Sequence, residues 1–397
     1  MSAGALDSFM LQSFDFQSRT RVIFGEGAIA RLGDLARDLG FRRSLVVADA
    51  GLVAAGHLGH ATSILRKAGV STVHFCDFAV NPDSAAVERG RDFAATENVD
   101  SIIGFGGGSS LDCAKAINFL LTNGGRLQDY RGYGKAEKPM LPMIGAPTTT
   151  GTGSEAQSYA VIADAETKMK IACGDAKAAF RIALLDPALA VSQPFAVLAA
   201  AGFDAVAHAV ETWVTQWRTP VSEMFAREAW RLLEANYEQA LAEHPDNAKH
   251  MGAMMLGAHL AGAAIENSML GAAHACANPL TARYGTVHGA ALAMLLPHVV
   301  QWNANEAGSR YAQLVSSADG QAPDMMSDAP LLSAELLSRC LEQWRDAAKL
   351  PSRLSAAGVR REDLPALAEL AAQQWTGSFN PRAFDAKGAL EIYEAAF

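Results

Sequence analysis

The chain has 397 residues, 50% hydrophobic and 19% charged, which suits a globular protein of about two domains. Its net charge of −9 comes from acids spread along the sequence with no Lys/Arg run, so no nucleic-acid partner is expected. No uninterrupted apolar stretch reaches about 18 residues, the first residues lack a signal-peptide pattern, and Cys76, Cys113, Cys173, Cys276 and Cys340 form no CxxC pair, so the expectation is a cytoplasmic protein with reduced thiols and no membrane span.

The first half alternates short β-branched runs with helical segments. SLVVAD (44–49), STVHFCDF (71–78), SIIGFG (101–106) and PMIGAP (142–147) read as buried strands. Helix-like stretches lie between them, and this alternation predicts a parallel α/β sheet. YAVIADAETKMKIAC reads as a hairpin, and RIALLDP (181–187) supplies one more strand.

Two loops at strand ends carry polar or glycine-rich signals. FGGGSSLDCAK (105–115) joins a strand to a helix, and Gly106, Gly107 and Gly108 allow close backbone approach. The helix starting near Ser109 offers free amides and the positive end of its dipole, which attract a diphosphate. The spacing is not GxGxxG, so a purely structural turn stands beside the phosphate reading. PTTTGTGSE (147–155) follows the next strand, and the hydroxyls of Thr148, Thr149, Thr150 and Thr152 can bind ribose and phosphate oxygens or simply cap a helix with Glu155 in its first turn. Asp49, at the end of SLVVAD, is either a turn residue or an acceptor for a ribose hydroxyl. In the latter role it repels a 2′-phosphate and favours NAD over NADP.

From about residue 194 the texture changes to Ala, Leu, Met, Glu and Arg at helical spacing, so residues 194–397 are expected to be all α and residues 1–193 an α/β domain. The boundary falls at Ser192-Gln193-Pro194, where the proline can open a helix. The polar stretch 316–329 is expected to be a mobile loop. Asp204 and His208 lie four apart in GFDAVAHAVETWV and leave one helical face. His274 and His288 flank a Pro/Tyr/Gly turn. One carboxylate and three imidazoles can hold a divalent cation with an outer position open. Each histidine alone is more often a satisfied core or surface residue, and His57, His60, His244, His250, His259 and His298 are read that way. Asp204 shifts the balance, because a buried carboxylate needs a partner or a metal.

GGGSSLDCAKA, PTTTGTGSE, GFDAVAHAVE and HACANPLTARYGTVHGAALAMLLPHVV, in that order, resemble the signatures of the iron-containing alcohol dehydrogenases, a family related in fold to dehydroquinate synthase. The resemblance implies an N-terminal dinucleotide-binding α/β domain, an all-helical C-terminal domain and an active site in the cleft between them. It carries the metal ligands onto Asp204, His208, His274 and His288. It carries NAD contacts onto Asp49, Asn81, Gly107, Gly108, Ser109, Thr148, Thr149 and Lys170. It also implies a homodimer in which the strand within RTRVIFG reaches the partner subunit, and it favours Fe(II) over the Zn(II) that the same ligands would accept.

One position departs from the family pattern. A further histidine, commonly four residues after the third ligand and often assigned to proton transfer, is Asn278 here. An amide hydrogen-bonds but does not shuttle a proton near neutral pH, so no general base is assigned. The expected activity is hydride transfer between NAD(H) and a small alcohol or aldehyde, with the metal polarising the substrate oxygen. A small, mostly apolar pocket is expected from the 150s loop, the region of Phe203 and Asp204, and the 259–278 helices. The competing readings are a metal-dependent lyase or cyclase, a hydroxyacid–oxoacid transhydrogenase, and a binding protein without catalysis.

Overall fold

In the six-stranded parallel sheet, the central apolar strands are buried from both faces and the two edge strands are partly exposed. A computed structural model describes residues 13–245, 248–319 and 330–397. The strands in chain order are β1 (Arg21–Phe24), β2 (Arg43–Val47), β3 (Ser71–Phe75), β4 (Ser101–Gly106), β5 (Gly132–Tyr133), β6 (Met143–Pro147), β7 (Tyr159–Ala163), β8 (Lys170–Gly174) and β9 (Ile182–Leu185). The main sheet has the order β1-β9-β6-β4-β2-β3, and all its pairs are parallel. β4 and β6 are buried along their whole length, as parallel strands sandwiched by helices must be. The expected hairpin is β7 with β8, antiparallel, extended by β5.

The topology puts the predicted loops at one place. The chain goes outward from β2 to β3 and then returns to β4 on the other side of β2, so the strand order reverses between β2 and β4. Such a reversal opens a crevice beyond the carboxyl ends of the strands. Val47 is level with Gly104, and Gly104 with Gly145, so β2, β4 and β6 end at the same edge. Asp49, Gly106–Gly108 and Thr148–Thr152 all follow from that edge.

Beyond β9 and the short helix Pro187–Val191, the described residues contain helices and no strand. The helix Phe195–Val214, capped by Pro194, is buried almost throughout and packs against Pro220–Glu234, Ala248–Glu266 and His288–Trp302. By length and composition it could cross a bilayer, but its windings are buried in the core and carry three ionisable residues, Asp204, His208 and Glu211. Of the expected mobile loop, residues 316–319 end the helix Ala304–Asp319, and 320–329 lie outside the described residues.

The two halves are joined through the threonine-rich loop. Gly153 has φ of 57°, and a Cβ there would come within 2.4 Å of the Ala258 carbonyl oxygen and 2.8 Å of Gly262. Only glycine satisfies both the left-handed backbone and the close approach. Two residues on, the buried Glu155 accepts from His259 Nδ1 at 3.0 Å, and Glu266 accepts from the Ser158 amide and hydroxyl. Glu155 lies in the first turn of the short helix Ser154–Ala156, as expected, and also spans the two halves, and His259 is a satisfied buried residue.

Candidate active site

A cavity of about 240 Å³ lies where the halves meet, lined from the α/β half by Gly108, Ser109, Thr152 and Lys170 and from the helical half by Asp204, His208, His274 and His288. Three helices bring the latter four together. Asp204 and His208 lie one turn apart on Phe195–Val214, His274 is in the first turn of Ala272–Tyr284, and His288 opens His288–Trp302. Asp204 Oδ1 is 3.2 Å from His208 Nε2, 3.5 Å from His274 Nε2 and 3.9 Å from His288 Nε2. Candidate ligand atoms of Asp204, His274 and His288 all fall within 4.8 Å of one another. His208 is not one of those three but lies beside them, its ring stacked on that of His274 with centroids 4.8 Å apart.

The cluster is chemically incomplete as it stands. Among the described residues, eight buried side-chain polar atoms lack a hydrogen-bond partner, and four of them belong here: Asp204 Oδ1, His208 Nδ1, His274 Nε2 and His288 Nδ1. An unmatched buried polar atom is costly, and Asp204 Oδ1 and His274 Nε2, which face each other with the Nε2 atoms of His208 and His288 beside them, call for an added group. Burial works against charge on every member. For Asp204 the surrounding imidazoles outweigh burial and hold the carboxyl far below the usual range. Burial pushes His208 down to about 4 and His288 down to about 3. His274 goes the other way, to about 9, because Glu211 and Asp204 overcome its burial. Two buried carboxylates thus demand positive charge at this spot. One oxygen and three nitrogens are a donor set that a divalent transition metal accepts, so the residues fit such an ion.

Glu211 was not among the expected site residues. It lies seven residues after Asp204 on the same helix face, is buried, and accepts from His274 Nδ1 and from the Ala273 amide at 2.7 Å. This fixes the ring of His274 and turns Nε2 toward Asp204, the role of a carboxylate behind a metal-ligating imidazole. The signal was legible: an acid at helical spacing within GFDAVAHAVE.

On the cofactor side the structure separates the expected residues into two groups. The helix Gly108–Asn123 starts at the cavity with Gly107 as its cap, so its first amides face the crevice. Gly106 has φ of 144°, and a Cβ there would strike Ser110 Oγ at 2.4 Å. Asn81, Ser109, Thr152 and Lys170 line the cavity. Burial lowers the Lys170 amine from its ordinary value, against the pull of Asp112 and Asp204. Asp49 and the remaining threonines are engaged within the protein. Asp49 caps the helix Ala50–Ala54, accepting from the Gly51 and Leu52 amides at 2.9 and 3.2 Å, and Ser110 Oγ reaches its other oxygen at 3.4 Å. Thr148 is buried with its amide on the Gly106 carbonyl, Thr149 lies against Gly107, and Thr150 is buried and accepts from Gln193.

A second unexpected feature supports this wall. Lys115 is fully buried and donates to the carbonyls of Ser154, Gln157 and Tyr159, while pairing with Asp112 at 3.1 Å. Asp112 also accepts from Ser154 Oγ at 2.5 Å and the Val161 amide at 3.1 Å. The pair pins the helix start to the loop after β6.

The pocket differs from expectation in its lining. Phe203 is fully buried in the helical core and does not line it. The C-terminal residues Gln374, Trp375 and Thr376 do, and no pattern in the sequence pointed to them. Asn278 lines the cavity too, one turn beyond His274, with its amide nitrogen donating to Gln374 Oε1 at 3.2 Å.

With this geometry in view, the similarities to known proteins are specific. The pattern described as "Iron-containing alcohol dehydrogenase" matches residues 19–187, and "Fe-containing alcohol dehydrogenase family, C-terminal" matches 198–397. The chain belongs to the iron-containing alcohol dehydrogenase family. Within it, the NAD-dependent methanol dehydrogenase of Bacillus methanolicus is 32% identical over 94% of this chain and 97% of that one. The 1,3-propanediol dehydrogenase of Citrobacter freundii is 33% identical over 97% of this chain and 99% of its own length. A solved structure of a 1,3-propanediol oxidoreductase superposes with a TM-score of 0.92 at 31% identity, over 97% of this chain and all of that one (100%). These similarities span both halves of the fold and therefore both walls of the cavity.

Proposed function

We propose that this member of the family transfers a hydride between NAD(H) and a small alcohol or aldehyde, with a divalent cation, Fe(II) or Zn(II), held by Asp204, His208, His274 and His288. The observation that carries this reading is the convergence of three imidazole Nε2 atoms on the buried Asp204 carboxylate, in a cavity whose other wall is a glycine-rich helix start. When bound, the cation acts as a Lewis acid on the substrate oxygen and the nicotinamide accepts the hydride.

The chain's own residues supply the rest. Glu211 orients His274. The amides at Gly107–Ser109 face the crevice where a diphosphate is favoured by the helix dipole. Asn81, Lys170 and Thr152 border the same space, and Thr148 and Thr149 shape the loop beneath it. Gly106 lets the strand turn sharply into that helix. Asp49 keeps one oxygen near Ser110 at the end of β2, where a ribose would lie, which supports NAD over NADP. Lys115 and Asp112 hold this wall rigid. Asn278 orients and hydrogen-bonds but takes no proton, so the proton leaves by another route.

The division into an α/β domain (1–193) and a helical domain (194–397) is supported by the absence of strands after β9 among the described residues. A homodimer is supported by β1, an edge strand that exposes Val22 and Phe24.

The test uses anaerobically purified protein, stripped of metal and reloaded with Fe(II) or Zn(II), given NAD and a panel of short alcohols and diols. Metal-dependent absorbance at about 340 nm, the band of reduced nicotinamide, is the expected result. Binding of metal and NAD without reduction of NAD by any alcohol would overturn the reading and favour the lyase.

A further inference from the structure

The catalytic cavity shares a wall with a second, larger cavity of about 620 Å³. Tyr159, Met269 and Trp375 line both spaces. They come from three separate segments. Tyr159 opens β7, Met269 lies between the helices Ala248–Glu266 and Ala272–Tyr284, and Trp375 opens the turn Trp375–Phe379. The second cavity is bordered by exposed rings: Tyr133 is 50% and Trp217 65% exposed, and neither lines the catalytic cavity.

The shared wall is braced from the outer side. Trp375 stacks on Tyr159 with centroids 5.6 Å apart and planes 30° apart, and meets Phe379 edge-on at 5.7 Å. Tyr133 in turn contacts Tyr159 at 5.5 Å, and Trp217 contacts Phe379 at 5.0 Å. Rings in these arrangements attract one another, so the indole is held in place by its neighbours. Met269 is buried, and its φ of 128° is one that a residue with a side chain rarely adopts, so its surroundings impose it. Its unbranched thioether suits an irregular gap beside the rings. Ile265 and Leu270 line the catalytic cavity alone and give it apolar sides next to this wall.

We infer that Trp375 and Met269 form the length stop for the substrate: short chains fit inside the catalytic cavity, and the far end of a long-chain or aryl alcohol would need the space these two side chains close off. This inference rests on the dehydrogenase reading above. Discrimination here comes from overlap with packed side chains, so removing them relieves it and joins the two cavities.

The experiment compares kcat/KM for 1-octanol, cinnamyl alcohol and 1-propanol in metal-loaded wild-type, Trp375→Ala, Met269→Gly and Trp217→Ala proteins. The wild type is expected to favour 1-propanol. Trp375→Ala raises the ratio of either larger alcohol to 1-propanol by about tenfold or more, the scale on which pocket shape separates substrates. Met269→Gly, which suits the positive φ, raises it by less. Trp217→Ala removes a ring from the outer cavity alone and leaves the ratio at its wild-type value. If Trp375→Ala does not fold, Met269→Gly reads the same ratio. A wild type that favours the larger alcohols, a ratio unmoved in the folded wall variants, or an equal rise in Trp217→Ala overturns the inference and leaves the dehydrogenase reading standing. Failure of the wild type to oxidise any of the three sinks both.

Discussion

The two walls of the cavity treat their buried polar groups in opposite ways. On the α/β wall nearly every one is matched within the protein: Lys115 with three carbonyls and Asp112, Thr150 with Gln193, Asp49 with two amides. On the helical wall Asp204, His208, His274 and His288 each leave an atom unmatched. A saturated network specifies a shape, whereas an unsaturated one marks where an outside group completes it. The first wall is thus a scaffold that offers backbone amides, and the second is a receptor that offers side chains.

The largest effect is expected from the receptor wall. His274→Ala removes a candidate ligand and leaves Glu211 buried beside an empty site. Metal retention after dialysis and turnover are both expected to be lost. Near-normal activity in a metal-depleted His274→Ala preparation would remove the basis for calling this wall a metal site. The scaffold wall should break differently. Lys115→Met leaves Asp112 and three carbonyls without their donor, and loss of one partner from a buried charged network costs about 3–5 kcal/mol. The expected result is a lowered melting temperature with metal stoichiometry intact in the protein that remains folded. A variant as stable as the parent would mean that water replaces the ammonium and that the wall is less rigid than its bonds imply.

The same contrast explains what the sequence could convey. Asp204 and His208 stood out because charge at helical spacing in an apolar segment has few explanations, and Glu211 obeys the same rule one further turn along. The parallel sheet was legible because its central strands are short, apolar and buried on both faces. The hydroxyls of PTTTGTGSE were harder. A threonine that binds a ligand and one that packs under a neighbouring loop look alike in sequence, and Thr150 proved to be the second kind. Trp375 gave no signal at all, since its place in the cavity wall depends on the fold bringing the C-terminal turn against the helix of His274, a contact between residues about a hundred positions apart.

Glu211→Gln sharpens the comparison at intermediate size. Glutamine keeps one acceptor oxygen for the Ala273 amide and turns its NH2 toward His274 Nδ1, so the fold should persist. It loses the charge that holds His274, and support of this kind is worth about 10- to 100-fold in metal affinity. Chelator competition measures it, and unchanged affinity would show that Glu211 serves the helix start alone. A smaller effect belongs to the scaffold wall. Asp49→Asn keeps a good helix cap while removing charge. The preference for NAD over NADP, as a ratio of kcat/KM values, is expected to fall by about tenfold, the scale of one like-charge repulsion at a half-exposed site. An unchanged ratio would return Asp49 to the role of a cap.

The smallest effect is expected at Asn278, which lies on the receptor wall yet behaves like the scaffold, donating to Gln374. Alcohol oxidation releases a proton, and an amide cannot accept it, so the present route cannot depend on this side chain. Asn278→His places a group with an ordinary pKa near 6.5 at the cavity. Only the neutral imidazole accepts a proton. If proton release through this position becomes part of the rate, kcat/KM for alcohol oxidation should therefore rise with pH through a new ionisation absent from the parent. The expected gain on the basic side is under about tenfold, because general-base assistance adds little where a route already exists. Identical pH profiles for parent and variant would mean that the existing route is not limiting. A loss of activity at every pH would mean instead that the Asn278–Gln374 bond shapes the pocket the substrate enters.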